Sequence, residues 1–226
     1  LIPSTNPTST VIYKVMIALK AGNGIVISPH PNAKECIIRT AEILINAAER
    51  KGAPKGLIGV IKTPTLQATN ELMKHKDTSL ILATGGEAMV KAAYSSGTPA
   101  LGVGPGNGPA FIEKSANIAL AVKRILDSKT FDNGVICASE QSIVTENVIK
   151  SDVISELKKQ KAYFLNKEER DRVGNILMRA NGSMNPKIVG KTAVYIAEMA
   201  GITVPCDTSV LISEETEVSH ANPYSR

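Results

Sequence analysis

The segment FDNGVICASEQS, residues 131–142, contains one cysteine, Cys137. Its Asp-Asn-Gly tripeptide predicts a turn, and the two β-branched residues that follow predict a short extended run that presents Cys137 at a strand edge or in a loop. The thiolate form of cysteine is a nucleophile that attacks carbonyl carbons. The alternative is a buried structural cysteine, because free cysteine is among the most buried residue types. These twelve residues by themselves leave both interpretations open.

Two glycine-rich segments could approach a ligand closely. Thr84-Gly85-Gly86 lies between an apolar run and a helical pattern, where backbone N–H groups at a helix start can face an anion. The alternative is a tight turn that binds nothing. The second segment, GVGPGNG at 102–108, does not match GxGxxG and precedes no helix directly, which indicates a loop dictated by backbone geometry.

Two further segments combine polar side chains with proline. Ser28-Pro29-His30-Pro31 follows the first predicted strand, and ligands favour the carboxyl ends of parallel strands. His30 is interpreted either as a turn residue or as a ligand contact. Asn6 precedes Pro7, which predicts a helix with Asn6 as its cap and Pro7 in its first turn.

The elements that position these residues alternate along the first part of the chain. This alternation predicts an α/β fold with parallel βαβ units. Strands are predicted at 24–28, 57–61, 79–83, 100–103, 110–112, 142–145 and 209–212. Helices are predicted at 11–21, 33–51, 66–75, 87–96, 116–127, 151–161, 167–180 and 191–200.

The alternation changes after Lys129. We therefore expect a domain boundary there, with residues 1–129 forming part of a nucleotide-binding domain and residues 130–226 part of a catalytic domain that carries Cys137. Interdomain clefts are preferred places for ligand sites.

Composition excludes several classes of protein. The 226 residues are 43% hydrophobic and 21% charged, with a net charge of +5 and only 4% aromatic residues. No basic run is interleaved with aromatic residues, so a nucleic-acid partner is not expected. No apolar run reaches transmembrane length, and no signal peptide is recognisable, so no membrane partner is expected either.

The remaining cysteines have plain explanations. Cys36 lies on a predicted apolar helix stripe and is expected in the core, and Cys206 is expected to be structural. The three cysteines are far apart without a CxxC pair, which favours a reducing compartment and no metal site. The chain opens on Leu1 and stops at Arg226 in a loop-like sequence, which indicates a piece of a longer protein.

Five segments in order resemble the CoA-acylating branch of the aldehyde dehydrogenase superfamily, including the aldehyde half of bifunctional aldehyde–alcohol dehydrogenases. The resemblance covers essentially the whole chain, and its most specific part is the cysteine segment. Family members extend beyond both ends of this chain. The five segments are NPT (6–8), AGNGIVISPHP (21–31), LATGGEAMV (82–90), GVGPGNGPAFIE (102–113) and FDNGVICASEQS (131–142).

The resemblance implies a Rossmann-like NAD-binding domain followed by an α/β catalytic domain, both incomplete here. It implies that Cys137 attacks the aldehyde carbon, that hydride leaves to NAD, and that CoA takes the acyl group from the resulting thioester. It also implies that the Asn6 amide stabilises the oxyanion together with the Cys137 N–H, a role that competes with helix capping.

The resemblance further implies which residues lie beside the dinucleotide. They are Ser28, Pro29, His30, Pro31, Thr63, Pro64, Thr84, Gly85, Gly86 and Met89. Hydrolytic relatives carry a lysine in the segment that corresponds to Ser28–Pro31, and its replacement changes the expected ribose contact. NAD is the expected cofactor, and the choice between NAD and NADP stays open.

One difference from hydrolytic relatives bears on the reaction. These relatives activate water with a glutamate in a segment resembling ELGGK, whereas the corresponding LGVGPGNG at 101–108 has no carboxylate. Water with a pKa near ~15.7 needs a base, whereas a thiol with a pKa near ~8.5 is already partly ionised. We therefore expect acyl transfer to CoA rather than release of a free acid.

The expected function is reversible, CoA-dependent oxidation of a short aldehyde, such as acetaldehyde, to acyl-CoA in a cytoplasmic or microcompartment homo-oligomer. The alternatives within enzymes are a hydrolytic aldehyde dehydrogenase and an acyl-phosphate reductase of the same superfamily. The alternative from another class is a non-catalytic nucleotide-binding subunit.

Overall fold

The computed structural model describes residues 1–104, 106–180, 182–219 and 221–225. Two compact units, Leu1–Pro105 and Gly106–Arg226, divide the chain. This division falls earlier than the predicted domain boundary at 129/130. The predicted boundary concerns the domains of a longer protein and stays a prediction.

The helices and strands alternate through both units. The α-helices are α1 Pro7–Lys20, α2 Lys34–Arg50, α3 Leu66–Lys74, α4 Glu87–Tyr94, α5 Ile118–Thr130, α6 Lys150–Lys159, α7 Lys167–Leu177 and α8 Ala193–Met199. The strands are β1 Ile25–Ile27, β2 Ile58–Val60, β3 Ile81–Thr84, β4 Ala100–Val103, β5 Gly108–Ile112, β6 Glu140–Thr145, β7 Ala162–Phe164 and β8 Val210–Ile212. Among the helices in the described part of the chain, none is long and apolar enough to cross a membrane.

The first unit contains two parallel strand pairs, β1 with β2 and β3 with β4. The segment Leu1–Ile2 lies between them. Ile2 N–H donates to the Ser28 carbonyl at 3.1 Å, and His30 N–H donates to the Ile2 carbonyl at 3.1 Å. On the other side, the Leu1 amino group donates to the Leu82 carbonyl at 2.9 Å, and Thr84 N–H donates to the Leu1 carbonyl at 3.4 Å.

This hydrogen-bond pattern is that of parallel ladders. It joins the segments in the order β2, β1, Leu1–Ile2, β3, β4. The carboxyl ends of β1, β2 and β3 therefore share one edge of the first unit, where the loops after these strands begin.

Two apolar clusters stabilise the first unit. The larger one packs α1 and α2 against β1 and β2, and its buried members are Ile2, Val11, Val15, Ile27, Ile37, Ala41 and Ile58. The smaller one packs around β3 and consists of Met73, Ile81, Ala83 and Ala93. Because α2 places Ile37 and Ala41 one turn apart on its buried face, the helix is fixed in rotation.

The second unit repeats this arrangement with β5 parallel to β6 and β7 parallel to β8. α5 and α6 contribute Val122, Leu126, Val153 and Leu157 to a buried cluster that also includes Ile112 of β5. A smaller cluster of Val173, Ala197 and Ile202 joins α7 to α8. The loop before β6, which carries Cys137, is thus attached to a packed strand.

The α/β class with parallel strands is confirmed, and three local predictions are wrong. Cys36 is exposed rather than in the core, because the buried face of α2 is centred on its neighbour Ile37. The run after the Asp-Asn-Gly turn is not extended, since Val135 has helical backbone angles. Strand β7, Ala162–Phe164, was not predicted, because it has no glycine or proline beside it and lies between two charged helical patterns.

Candidate functional site

The turn before Cys137 is built by three consecutive residues with left-handed backbone angles. Asp132 and Asn133 both have φ of 50°, and Gly134 has φ of 73°. Asn, Asp and Gly are the residue types that adopt this region most readily. The Asn133 side chain donates from Nδ2 to the Gly190 carbonyl at 3.0 Å, which ties the turn to the segment before α8.

Cys137 itself lies in a second turn, directly before β6, and is exposed. The Ser139 N–H donates to the Ile136 carbonyl at 3.0 Å and closes this turn. Ser139 is only 3% exposed, so the turn is anchored on its carboxyl side, whereas Cys137 is exposed. The interpretation of Cys137 as a buried structural cysteine is therefore wrong.

A half-buried lysine, Lys129, supports the loop from the side of α5. Lys129 donates from Nζ to Gln141 Oε1 at 2.6 Å. Burial lowers the pKa of Lys129, and the charge of Glu140 opposes this shift. The Glu140 Oε2 atom is buried without a hydrogen-bond partner among the described residues. The two charges lie on either side of the cysteine turn in sequence, and neither was singled out from the sequence.

The predicted cofactor residues lie at the shared strand edge of the first unit. Thr84 ends β3, and Gly86 is the N-terminal cap of α4, with no side-chain cap on the helix. Gly85 N–H donates to the Val103 carbonyl of β4 at 3.1 Å. Met89 follows in the first turn of α4, and its side chain lies 3.6 Å from where a Cβ on Gly85 would be.

The loops after β1 and β2 bring the other predicted residues to the same edge. Ser28 is 3% exposed, and its hydroxyl lies 2.9 Å from the Thr69 hydroxyl, so this side chain is used inside the fold. His30 is exposed and accepts a hydrogen bond on Nδ1 from Asn32 N–H at 3.2 Å. Pro29 bridges to Ile2, and Pro31 opens a short 3₁₀ turn. Thr63 and Pro64 lie in the loop between β2 and α3.

Asn6 occupies the cap position of α1, as predicted, but its side chain makes no capping hydrogen bond. Pro7 at the first helical position has no N–H to offer. Thr5 donates its hydroxyl to Asn6 Oδ1 at 3.1 Å. This bond uses the carbonyl end of the Asn6 amide. The expected side-chain cap is therefore absent, and the oxyanion role of Asn6 stays a prediction.

Sequence reasoning missed Lys14 of α1. It is 4% exposed and donates from Nζ to the carbonyl oxygens of Leu1 and Leu82, each at 2.8 Å. Burial lowers its pKa to about 8. Lys14 shares a helix face with Val11 and Val15. A lysine on an apolar face indicates a buried, hydrogen-bonded ammonium group, because lysine is rarely buried without partners.

One predicted segment, the glycine-rich run 102–108, includes a residue outside the described ranges, Pro105. The described glycines of that loop, Gly102, Gly104, Gly106 and Gly108, belong to the ends of β4 and β5 or to the segment between them. Gly102 has no room for a side chain, because a Cβ there would lie 2.5 Å from Val90 and 2.7 Å from Tyr94. This constraint comes from side chains of α4 that pack on β4, so Gly102 is required by packing within a strand rather than by a loop.

A cavity of about 660 Å³ lies in the second unit, between α7 and the segment 215–224. Arg170, Arg179 and Tyr224 line it, and none of the predicted site residues does. The Tyr224 hydroxyl donates to the Arg170 carbonyl at 2.5 Å, and burial raises the pKa of Tyr224 to about 12.

Comparison with known proteins gives a consistent result. The family model described as "Aldehyde dehydrogenase family" matches residues 1–180. The aldehyde-alcohol dehydrogenase of Clostridium acetobutylicum is 49% identical over 225 residues, which is 100% of this chain and 26% of that protein.

Two solved structures extend the comparison. An acetylating aldehyde dehydrogenase from Geobacillus thermoglucosidasius has 61% identity and a TM-score of 0.93 over 99% of this chain and 49% of its own. A propionaldehyde dehydrogenase from Rhodopseudomonas palustris, solved with bound CoA and an acylated cysteine, has 32% identity and a TM-score of 0.87 over 99% of this chain and 50% of its own. The chain thus spans about a quarter of the curated relative and about half of each solved chain.

Proposed function

The chain belongs to the aldehyde dehydrogenase family, and on that premise we propose that the full-length protein oxidises a short-chain aldehyde to an acyl-CoA, with NAD as the hydride acceptor. Cys137 is the nucleophile, and the reaction is reversible. The observation that carries this proposal is the exposed thiol of Cys137 on an anchored turn. The acylated cysteine of the Rhodopseudomonas palustris structure supports it.

The chemistry begins at Cys137. Its thiolate adds to the aldehyde carbon, forming a C–S bond and converting the carbonyl oxygen to an oxyanion. When the oxyanion collapses, the carbon loses hydride and a thioester remains on Cys137. The CoA thiolate then attacks the thioester carbon, the new C–S bond forms, and the Cys137 thiolate leaves.

Asn6 supplies an oxyanion donor in this proposal, together with the Cys137 backbone N–H. The support is that the Asn6 side chain does not cap α1 and that its Oδ1 is held by Thr5. An amide donor of this kind is worth roughly 3–4 kcal/mol in the transition state.

The strand edge of the first unit fits a dinucleotide. A Cβ on Gly86 would meet nothing within 4 Å, so the start of α4 is open to a close approach, and its uncapped N–H groups and helix dipole favour an anion such as a pyrophosphate. When bound there, NAD supplies the hydride acceptor. We infer that Thr84, Gly85, Gly86 and Met89 bind its nicotinamide side and that the loops 28–31 and 63–64 bind its adenosine side.

Transfer to CoA rather than to water follows from the segment 101–108, which contains no carboxylate to act as a base. The CoA thiol does not need one, because it is partly ionised near neutral pH. We also infer that the protein works as a homo-oligomer in the cytoplasm or inside a bacterial microcompartment.

Covalent trapping tests the proposal directly. The full-length protein is incubated with acetyl-CoA in the absence of NADH, and its peptides are analysed by mass spectrometry. We expect one acetyl group on Cys137, removed by hydroxylamine as a thioester. Cys36 and Cys206, which are also exposed, are internal controls for non-specific transfer. An acetyl group distributed over all three cysteines, or absent from Cys137, would contradict the proposal.

A further inference from the structure

The backbone of Gly106 approaches the cysteine turn closely. A Cβ at this position would lie 2.3 Å from the Cys137 carbonyl oxygen, 3.3 Å from its carbonyl carbon and 3.8 Å from its Cβ. Carbon and oxygen atoms that are not bonded attract best at about 3.5 Å and repel steeply at shorter distances. The backbone of Gly106 therefore fits against the Cys137–Ala138 peptide only because Gly106 has no side chain.

Both partners in this contact are held by the same strand pair. Gly106 lies two residues before β5, and Cys137 lies three residues before β6. The parallel ladder pairs Gly108 with Glu140 and Pro109 with Ser142. Because the ladder holds β5 and β6 together, neither loop can relieve the contact between Gly106 and Cys137 by shifting together with its strand.

The cysteine turn has little freedom on its other sides. Ser139 is buried, and its N–H closes the turn on the Ile136 carbonyl. On the amino side, Asn133 bonds to the Gly190 carbonyl, and a Cβ on Gly190 would already lie 3.3 Å from Val135. A side chain at position 106 can be accommodated only by displacing the Cys137–Ala138 peptide or the loop that faces it.

We propose that Gly106 is a positioning residue for the nucleophile: its missing side chain sets the location of the Cys137 peptide, and with it the thiol and the backbone N–H that faces the oxyanion. This inference rests on the proposed function of Cys137. Within the glycine-rich segment 102–108, it assigns to Gly106 alone the role of supporting the cysteine turn.

The chain offers a matched control in the same segment. A Cβ on Gly108 would lie 3.9 Å from the Ser139 carbonyl, which is an ordinary van der Waals contact. Neither Gly106 nor Gly108 has a positive φ, so alanine is compatible with the backbone angles at both positions. The two substitutions therefore differ in the contact with the cysteine turn and not in backbone strain.

The test compares Gly106→Ala, Gly108→Ala and Cys137→Ser in the full-length protein. We expect Gly106→Ala to lower kcat by about 10²-fold, as a displacement on the order of 1 Å does in other enzymes, with KM for NAD and CoA nearly unchanged. Gly108→Ala is expected to keep kcat within a few fold. Equal kcat values for the two glycine variants, or a Gly106→Ala loss that appears only in KM, would overturn the inference.

Cys137→Ser separates this inference from the proposed function. If Cys137→Ser retains activity, the nucleophile assignment fails whatever Gly106→Ala does. If Cys137→Ser is inactive while Gly106→Ala behaves as Gly108→Ala does, only the positioning role fails.

Ala138→Gly keeps the test informative if Gly106→Ala does not fold. This change loosens the same peptide without adding an atom, and Ala138 is exposed. We expect a reduced kcat at unchanged KM and at nearly unchanged melting temperature. An unchanged kcat would count against a positional requirement on the Cys137 peptide.

Discussion

At the scale of single residues, two asparagines occupy the same helix position with different side-chain contacts. Asn6 precedes α1 without capping it, whereas Asn117 precedes α5 and accepts a hydrogen bond on Oδ1 from Leu120 N–H at 3.0 Å. The sequence pattern of a cap is alike in the two cases. Only the structure separates the asparagine whose side chain caps its helix from the one whose side chain does not.

This difference predicts opposite effects of substitution by alanine. Asn6→Ala is expected to lower kcat by about 10²–10³-fold, because a transition-state donor is lost, with little change in stability. Asn117→Ala is expected to lose about 1 kcal/mol of unfolding free energy, the usual value of a cap, with activity retained. Steady-state kinetics and denaturant unfolding of both variants check this. Loss of stability without loss of kcat in Asn6→Ala would assign Asn6 to folding instead.

The residue scale also shows where sequence reasoning was limited. The left-handed turn at Asp132–Gly134 was recognisable from residue types, and so was the position of Cys137 beside it. The exposure of Cys36 was not, because Cys36 directly precedes the buried Ile37 and a shift of one position along the helix decides which of the two faces the core. The close approach of Gly106 to Cys137 was not predictable either, since it depends on the pairing of β5 with β6.

At the scale of elements, the start of α4 determines how a dinucleotide could be bound. Gly86 has φ of −66° and ψ of 161°, which alanine also adopts, and a Cβ there would meet no protein atom within 4 Å. Gly86→Ala should therefore fold normally. We expect it to raise KM for NAD several-fold, because the new methyl group faces the space where the cofactor approaches, while KM for CoA changes little.

Equal stability of the Gly86→Ala variant and the wild type is the control for this prediction. Gly22→Ala is unsuitable for comparison, because Gly22 has φ of 74° and alanine would be strained there. An unchanged KM for NAD in a folded Gly86→Ala variant would contradict binding of the cofactor at the start of α4.

Lys14 links α1 to the segment Leu1–Ile2 and to β3, and it predicts a pH dependence of stability. Its pKa is about 8 in the folded chain and 10.5 as the ordinary value. Between these pH values the unfolded chain binds a proton that the folded chain does not, so the free energy of unfolding rises with pH. From pH 7 to 9.5 this contribution amounts to roughly 2 kcal/mol.

The measurement is denaturant unfolding of wild type, Lys14→Met and Lys20→Met at both pH values. Lys20 lies on the same helix but is exposed. We expect Lys14→Met to lose most of the rise and Lys20→Met to keep it. The same rise in all three proteins would show that other groups cause it.

Elements were predicted more reliably from the sequence than their pairing was. Helices and strands longer than three residues were located to within a few positions, because many of them combine apolar periodicity with a glycine, proline or asparagine near one end. The insertion of Leu1–Ile2 between β1 and β3 left no such signal. It requires partners about 27 and 81 residues away, and local patterns do not specify contacts at that separation.

At the scale of the whole molecule, the two compact units carry different parts of the proposed chemistry. The first unit contains the strand edge with the predicted cofactor residues, together with Asn6. The second contains Cys137 with Gly106, Lys129 and Glu140 around its turn. Family membership was predictable from the order of five motifs along the chain. The supports of the cysteine turn were not, because Gly106, Lys129 and Glu140 reach it through strand pairing and packing that residue types do not indicate.

The central claim is that the full-length protein transfers an acyl group from Cys137 to CoA, and the most direct measurement is NADH formation from acetaldehyde and NAD with and without CoA. We predict sustained turnover only with CoA and none in Cys137→Ser. Turnover without CoA would indicate hydrolysis and contradict the argument from the missing carboxylate, and a requirement for inorganic phosphate would indicate an acyl-phosphate reductase. Turnover that survives in Cys137→Ser would contradict the assignment of Cys137 as the nucleophile.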